Sequence, residues 1–372
     1  MNIKYRVSVP FINNDEIKNV NYALKKNELS GFYGSFISKF EKEFASYCNT
    51  KYALTVNSGT TALHLGLLAV GIKRNDEIIV SALTNMATIF AILYIGAKPI
   101  PIDIEKNTFN LNTDIIEKKI TKKTKAILVV HLFGHPAEMT KIKKLAKKYK
   151  LRIIEDCAEA HGAQYKNKKV GSFGDAGCFS LYANKIISTG EGGIITFNSK
   201  KYYLKAKNLK ELAFGSKNKF MHRDIGFNYR MTNLQAAIGC AQMKKINFII
   251  KRKINIAKLY DKYLFNNSLI VKPYTKKNIK NVFWMYCVSI PKYKKNLRKN
   301  IMQKLLSKGI ETREMFIPCN LQNIFLKKKL FKKNDCPIAN KIAYNSFYLP
   351  SGMDLKEKDI KYISSELNKL VK

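Results

Sequence analysis

Lys185 stands in the stretch Gly177-Cys-Phe-Ser-Leu-Tyr-Ala-Asn-Lys-Ile-Ile-Ser-Thr-Gly-Glu-Gly-Gly193, between an apolar segment and a glycine-rich turn. Upstream, Arg152-Ile-Ile-Glu-Asp156 ends an apolar run on a carboxylate. A lysine amine can form a Schiff base with an aldehyde, and a carboxylate beside a pyridine nitrogen keeps that ring protonated and able to accept electrons. Lys185 and Asp156 are therefore the pair that amine chemistry on pyridoxal 5'-phosphate requires. Singly, each has a plainer reading: most lysines are solvated surface charges, and an aspartate after a strand is as readily a helix N-cap. The setting separates Lys185 from the rest. Ala176 to Tyr182 is apolar, and Gly190, Gly192 and Gly193 let the backbone turn tightly near a bound group.

A phosphate needs donors, and the N-terminus of a helix that follows a strand offers free N–H groups and a favourable dipole. Ser58, Gly59 and Thr60 occupy such a place. They read equally as an ordinary N-cap with a tight turn at Gly59.

Short β-branched runs alternate with lysine-studded amphipathic segments, the pattern of parallel strands joined by crossover helices. Strands are predicted at 53–56, 77–81, 98–103, 126–132, 152–156, 177–182 and 193–197, enough for one mostly parallel seven-stranded sheet. Between them, Leu63, Gly66, Leu67 and Val70, and later Ile142, Leu145 and Ala146, fall at helical spacing. Residues 78–96 are apolar, yet Ser81, Thr84, Asn85 and Thr88 interrupt them, which predicts a strand and a helix rather than a membrane span. The alternation stops near residue 240. A lysine-rich helical pattern follows over 244–263, then a loop over 273–281 and a strand, helix and strand through Phe316. The fold class is α/β, with a large domain over 1–245 and a smaller C-terminal α+β domain over 246–372.

With 372 residues, 46% of them hydrophobic, the chain can bury a large core. Its net charge of +40 is the main argument for another class, a protein that binds nucleic acid or an anionic membrane. Only eight of the 67 basic residues are arginine, and the 59 lysines are spread along the chain instead of gathered into an arm. Nucleic-acid readers lean on arginine for bidentate contacts, so a solvated surface is the better reading and a polyanion-binding protein the remote alternative. Seven cysteines form no Cys-x-x-Cys pair and are expected to be reduced. Five histidines show no His-Glu-x-x-His and no zinc spacing, so no metal is predicted. The first ten residues are too polar for a signal peptide, and a cytoplasmic location is expected.

Four blocks carry a resemblance. Asn57-Ser-Gly-Thr-Thr-Ala-Leu-His64, Glu155-Asp-Cys-Ala-Glu-Ala-His-Gly162, Ser180 to Gly193, and Gly226-Phe-Asn-Tyr-Arg-Met-Thr-Asn233 resemble, in family order, the DegT/DnrJ/EryC1/StrS sugar aminotransferases. The resemblance implies the aspartate-aminotransferase-like fold of type I pyridoxal phosphate enzymes and a homodimer whose active sites lie at the subunit interface. It implies transfer of an amine from glutamate to a nucleotide-linked 4-keto-6-deoxy sugar, with GDP as the carrier. Under it Ser58, Gly59, Thr60 and Ser180 become phosphate contacts, and Asn228 reaches the phosphate from the neighbouring subunit. Asn85 and Glu159 fall beside the cofactor ring. His161, Glu191, Arg230 and Asn320 are candidates for substrate contact, although a packed histidine and a turn-capping glutamate describe His161 and Glu191 as well. At Glu159 many relatives carry glutamine or histidine. Two departures bear on the substrate: Asn85 stands where relatives often have a ring that stacks on the cofactor, and Pro318-Cys-Asn320 replaces a Pro-x-His of the sugar pocket. Other members act at C3, on UDP- or dTDP-linked sugars, or on keto cyclitols. A dehydrating branch carries histidine in place of the lysine, and Lys185 argues against it.

Overall fold

Seven apolar runs build the central sheet of the computed structural model, which describes residues 3–215, 218–222, 224–291 and 297–372. They are β1 (Tyr52–Val56), β2 (Glu77–Ser81), β3 (Lys98–Ile102), β4 (Thr124–Val130), β5 (Arg152–Asp156), β6 (Ala176–Ser180) and β7 (Gly193–Phe197), in the spatial order β1-β7-β6-β5-β4-β2-β3. Every neighbouring pair from β6 to β3 is parallel, and β7 runs antiparallel to both β6 and β1. Helices cover both faces, so strands such as β2 bury side chains on either side: Ile78, Ile79 and Val80 are all inaccessible to water. The residues between 81 and 96 turn from β2 into the helix Met86–Tyr94, as the polar interruptions predict. Among the described residues no helix is long and apolar enough to cross a membrane.

Three strands stop short of their predicted ends for local reasons. Asp103 leaves β3 because its carboxylate accepts from the N–H groups of Ile338 and Ala339, at the start of the helix Pro337–Asn345. After β4 the chain turns at Leu132–Gly134, with Phe133 at φ 53°. Beyond Ser180 the N–H of Leu181 bonds the carbonyl of Gly192, which draws the lysine-bearing loop into a closed turn.

The helix Asn233–Tyr263 starts with a Thr232/Gln235 capping box. It runs unbroken for 31 residues, about 46 Å at ~1.5 Å per residue, so the division expected at residues 245 and 246 falls inside one helix. Its first half packs against the helices Asn14–Lys25 and Ser35–Cys48. Its second half buries Ile256, Ala257 and Tyr260 in a separate apolar cluster beneath a small antiparallel sheet made of Tyr286–Ser289, Ser346–Leu349 and Arg313–Glu314. The main cluster does not stop at the first 245 residues either, because Trp284, Cys287, Phe325 and Tyr348 belong to it. All seven cysteines are free and buried.

Candidate active site

The carboxyl ends of β4, β5 and β6 open onto a cavity of about 360 Å³, the crevice where open α/β sheets hold ligands. Asp156, the last residue of β5, and Ser180, the last of β6, line it together with Lys185. Alternating parallel strands and helices produce this placement, because each of the parallel strands ends at the same edge and hands its next residues to the crevice.

Asp156 is 5% exposed and doubly bonded: the Thr88 hydroxyl donates to Oδ2 at 2.8 Å and the Ala158 N–H to Oδ1 at 3.1 Å. Burial raises its carboxyl above the ordinary range, and the two hydrogen bonds and the Lys185 charge pull it back down. Thr88 is itself held by Thr84, their hydroxyls 2.8 Å apart. The chain thus presents a buried carboxylate whose orientation is set from the helix Met86–Tyr94.

The Lys185 side chain is 11% exposed, with Nζ 4.0 Å from Glu159 Oε1 and 4.0 Å from the centre of the Trp284 ring. Burial lowers its amine below the usual lysine value, opposed by Glu159 and Asp156. A lowered amine is what a lysine nucleophile and base needs. Glu159 is pushed up to about 7, chiefly by burial, against the pull of Lys185 and of the Phe133 N–H that donates to Oε2 at 2.8 Å.

Ser58 does cap the helix Gly59–Ala69, accepting from the Thr61 N–H at 3.1 Å, and the first turn of that helix opens onto the cavity. The cap fixes the helix start, and the first-turn N–H groups are left at the cavity edge, where donors for an anion are available. Gly59 is required by contact. A Cβ there would lie 2.6 Å from Ser180 Cβ, so only glycine lets the helix start and the end of β6 share one small pocket.

A family model described as the DegT/DnrJ/EryC1/StrS aminotransferase family matches residues 10–368. The chain belongs to that family. It is 41% identical over 359 residues to GDP-perosamine synthase of Escherichia coli O157:H7, covering 96% of each chain. It is 38% identical over 339 residues to GDP-perosamine synthase of Caulobacter vibrioides, covering 91% of each. It is also 33% identical over 370 residues to a dTDP-3-amino-3,6-dideoxy-alpha-D-galactopyranose transaminase of Aneurinibacillus thermoaerophilus, covering 97% of this chain and 99% of the relative. Among solved structures, Helicobacter pylori PseC, an aminotransferase involved in pseudoaminic acid biosynthesis, superposes with a TM-score of 0.92 at 27% identity, over 99% of both chains. This DegT-family chain is a sugar aminotransferase that works with pyridoxal phosphate. Its cavity fits that cofactor: a buried amine of lowered basicity, a buried carboxylate, and a helix N-terminus that a single Cβ would block.

Of the other residues singled out in the sequence, Asn85 and Glu191 line the cavity. Asn85 is exposed, and its side chain caps the helix Met86–Tyr94 by accepting from the Ala87 N–H at 3.0 Å. Asn228 is exposed and does not line the cavity of its own chain. Arg230 lies outside that lining too, its guanidinium 4.4 Å from the Phe32 ring centre. His161 is packed behind the site between Phe44 and Phe179, at 1% exposure, its imidazole pushed down to about 3, chiefly by burial. Asn320 is also fully buried, its amide donating to the Lys333 carbonyl and to Asn340 Oδ1. The structure brings neither of these last two to the cavity, because packing and local hydrogen bonds use them first.

Much of the remaining lining lies outside the four family blocks. Thr84 and Thr88 hold Asp156, and Trp284, Arg313, Phe316 and Tyr348 come from the small sheet and its approaches. Phe133 backs three of them, its ring centre 6.0 Å from Trp284, 5.8 Å from Phe316 and 5.6 Å from Tyr348. These rings supply aromatic surface that the Asn85 segment lacks. The one signal in the sequence was that Trp284 is the chain's only tryptophan.

His131, Glu155 and Cys157 place potential metal-ligand atoms within 4.8 Å of one another. Their valences are already filled. His131 Nδ1 accepts from the Ala137 N–H, which leaves Nε2 to donate to Glu155 at 3.1 Å, and the Glu155 carboxylate accepts three more backbone N–H groups, from Gly171, Phe173 and Gly174. Burial holds the Cys157 thiol well above its ordinary range, so it stays protonated. This is a brace beneath the site, joining β5 to the turn ahead of β6.

Proposed function

We propose that this aminotransferase acts as a GDP-perosamine synthase, replacing the C4 carbonyl oxygen of a GDP-linked 4-keto-6-deoxy sugar with an amine drawn from glutamate. The observation that carries the reading is the buried amine of Lys185, close to Glu159, in the same cavity as the doubly bonded Asp156. The likeness to two GDP-perosamine synthases across more than nine-tenths of the chain supports the choice of carrier and position.

When bound, pyridoxal phosphate supplies an aldehyde that condenses with amines and a protonated ring that takes up electrons from a neighbouring carbon. Asp156 would accept from the ring N–H and keep that proton in place, with Thr88 and Ala158 holding the carboxylate. Ser58, Gly59, Thr60 and Ser180 bind the phosphate, with Asn228 of a second copy completing the set, so the active unit is a homodimer. Lys185 anchors the cofactor. Its amine, when free, would be the base that takes the α-proton of the amino donor. In the second half the same amine moves a proton in the opposite direction on the sugar. The net exchange balances: glutamate loses an amine and gains a carbonyl oxygen, and the sugar does the reverse. The positive surface favours entry of both anionic substrates.

The experiment is a panel of GDP-, UDP- and dTDP-linked keto sugars given to the cofactor-loaded enzyme with glutamate, with amino-sugar formation read by mass spectrometry. The GDP-linked 4-keto-6-deoxy sugar is expected to be turned over with the highest kcat/KM. Preference for another carrier, or amination at C3, overturns the assignment.

A further inference from the structure

Trp284 connects the small-sheet region to the lysine loop by two separate contacts. Its indole N–H donates to the carbonyl of Asn184, the residue immediately before Lys185, at 2.8 Å. Its ring face lies 4.0 Å from Lys185 Nζ. The residue is 3% exposed, and its own backbone is fastened in turn: Lys253, buried in the helix Asn233–Tyr263, donates from Nζ to the carbonyls of Trp284, at 3.2 Å, and Ser351, at 2.6 Å. Phe133 and Tyr348 pack on the indole from other segments. A buried lysine that satisfies two carbonyls is costly to place, and its position fixes the bend at Trp284 that leads into the strand Tyr286–Ser289.

The geometry points to Trp284 as a positioning residue for Lys185: its N–H pins the backbone beside the amine while its ring fixes where the amine sits and screens it from water. The inference rests on the reading of Lys185 as the reactive amine, and its test does not need the cofactor. An ammonium against an indole face is held by the ring quadrupole and quenches indole fluorescence by transferring a proton to the excited ring. Because the chain has one tryptophan, its emission reports the surroundings of Trp284, and the variants below separate this contact from its neighbours. The charged and titratable groups around Lys185 are Asp156, Glu159 and His161, with Tyr348 beside Glu159 and Lys253 behind the indole.

In the cofactor-free protein, tryptophan emission is expected to rise with pH in a step whose midpoint lies below 10.5, the ordinary lysine value. The step is expected to vanish in Lys185→Met and to persist in Glu159→Gln and Lys253→Met. A step that survives Lys185→Met, or no step in the wild-type protein, overturns the proposal. In the loaded enzyme, Trp284→Phe keeps a ring but loses the N–H, and Trp284→Ala loses both. The expected kcat falls in that order, to about 10²-fold for alanine, with KM for glutamate within a few-fold, as misplacing a reacting group by about 1 Å produces. Equal losses for phenylalanine and alanine, or a loss confined to KM, also overturn it. If the emission step appears as expected while the loaded protein shows no imine absorbance near 400 nm (roughly where such imines absorb), the contact stands and the reading of Lys185 falls.

Discussion

The two parts of the cavity lining differ in kind. The part formed by the large sheet is polar and hydrogen-bonded: Asp156 held by Thr88 and Ala158, Ser180 at a strand end, and a helix start at Ser58. The part formed by the small sheet is aromatic, with Trp284, Phe316 and Tyr348 backed by Phe133, and carries one cation, Arg313. On the proposed function, the first part provides the groups that exchange or orient protons. The second encloses them and lowers the local dielectric, which strengthens every charge interaction inside. A site built this way should lose chemistry when its polar part, or the indole that touches Lys185, is changed, and lose substrate affinity when the rest of its aromatic part is changed.

The sharpest test is Lys185→Ala, which removes anchor and proton carrier together. Turnover is expected to fall by about 10⁴-fold or more, since a general base alone is worth about 10²–10⁴, while circular dichroism shows a folded protein. Retained transamination would remove the polar part's claim to the chemistry. Thr88→Val probes the support beneath it. With one of its two donors gone, Asp156 should titrate at a higher pH still, so the acid limb of the kcat profile moves upward. A loss of about 10-fold near neutrality is expected, in keeping with about 1–3 kcal/mol for a buried acceptor left unpaired. An unmoved acid limb would show that the bond does not serve Asp156.

Phe316→Ala acts on the other part. It should raise KM for the keto sugar about 10-fold, the low end of what a lost apolar wall costs, and leave single-turnover conversion by glutamate nearly unchanged. Equal damage to both half-reactions would dissolve the division of labour. The mildest effect concerns pH and stability. Glu159 titrates at about 7 in the folded chain against 4.5 ordinarily, so the native state keeps a proton that the unfolded chain has released. Stability should therefore fall as pH rises from about 4.5 to 7, by at most about 3 kcal/mol. In cofactor-free Glu159→Gln that slope should flatten in denaturant titrations at pH 5 and pH 8. A slope equal to that of the parent would place the proton elsewhere.

Legibility followed the same division. Lys185 and Asp156 could be read because a strand end, a glycine-rich turn and a reactive side chain fall within a few residues of one another. The seven strands could be read because each is a short run centred on apolar, mostly β-branched residues, and the central ones are buried on both faces. Trp284, Arg313, Phe316 and Tyr348 had no such mark, since residues so widely spaced converge only when the small sheet docks against the large one. His161 and Asn320 show the opposite limit. Each stands within or beside a family motif, yet a turn of the backbone puts the imidazole behind β6 and the amide into a local hydrogen-bond network. The long helix carries no proline at its midpoint to mark where one region yields to the other.

By itself the order of residues determined the chemistry on offer and the sheet that would carry it, because strand periodicity, helix starts and glycine turns are short-range properties of a chain. Which side chains would enclose that chemistry, and which would be spent on packing, was decided only on folding. Burial, ring contacts and the lowered basicity of Lys185 depend on atoms brought together from distant segments, and no local pattern contains them.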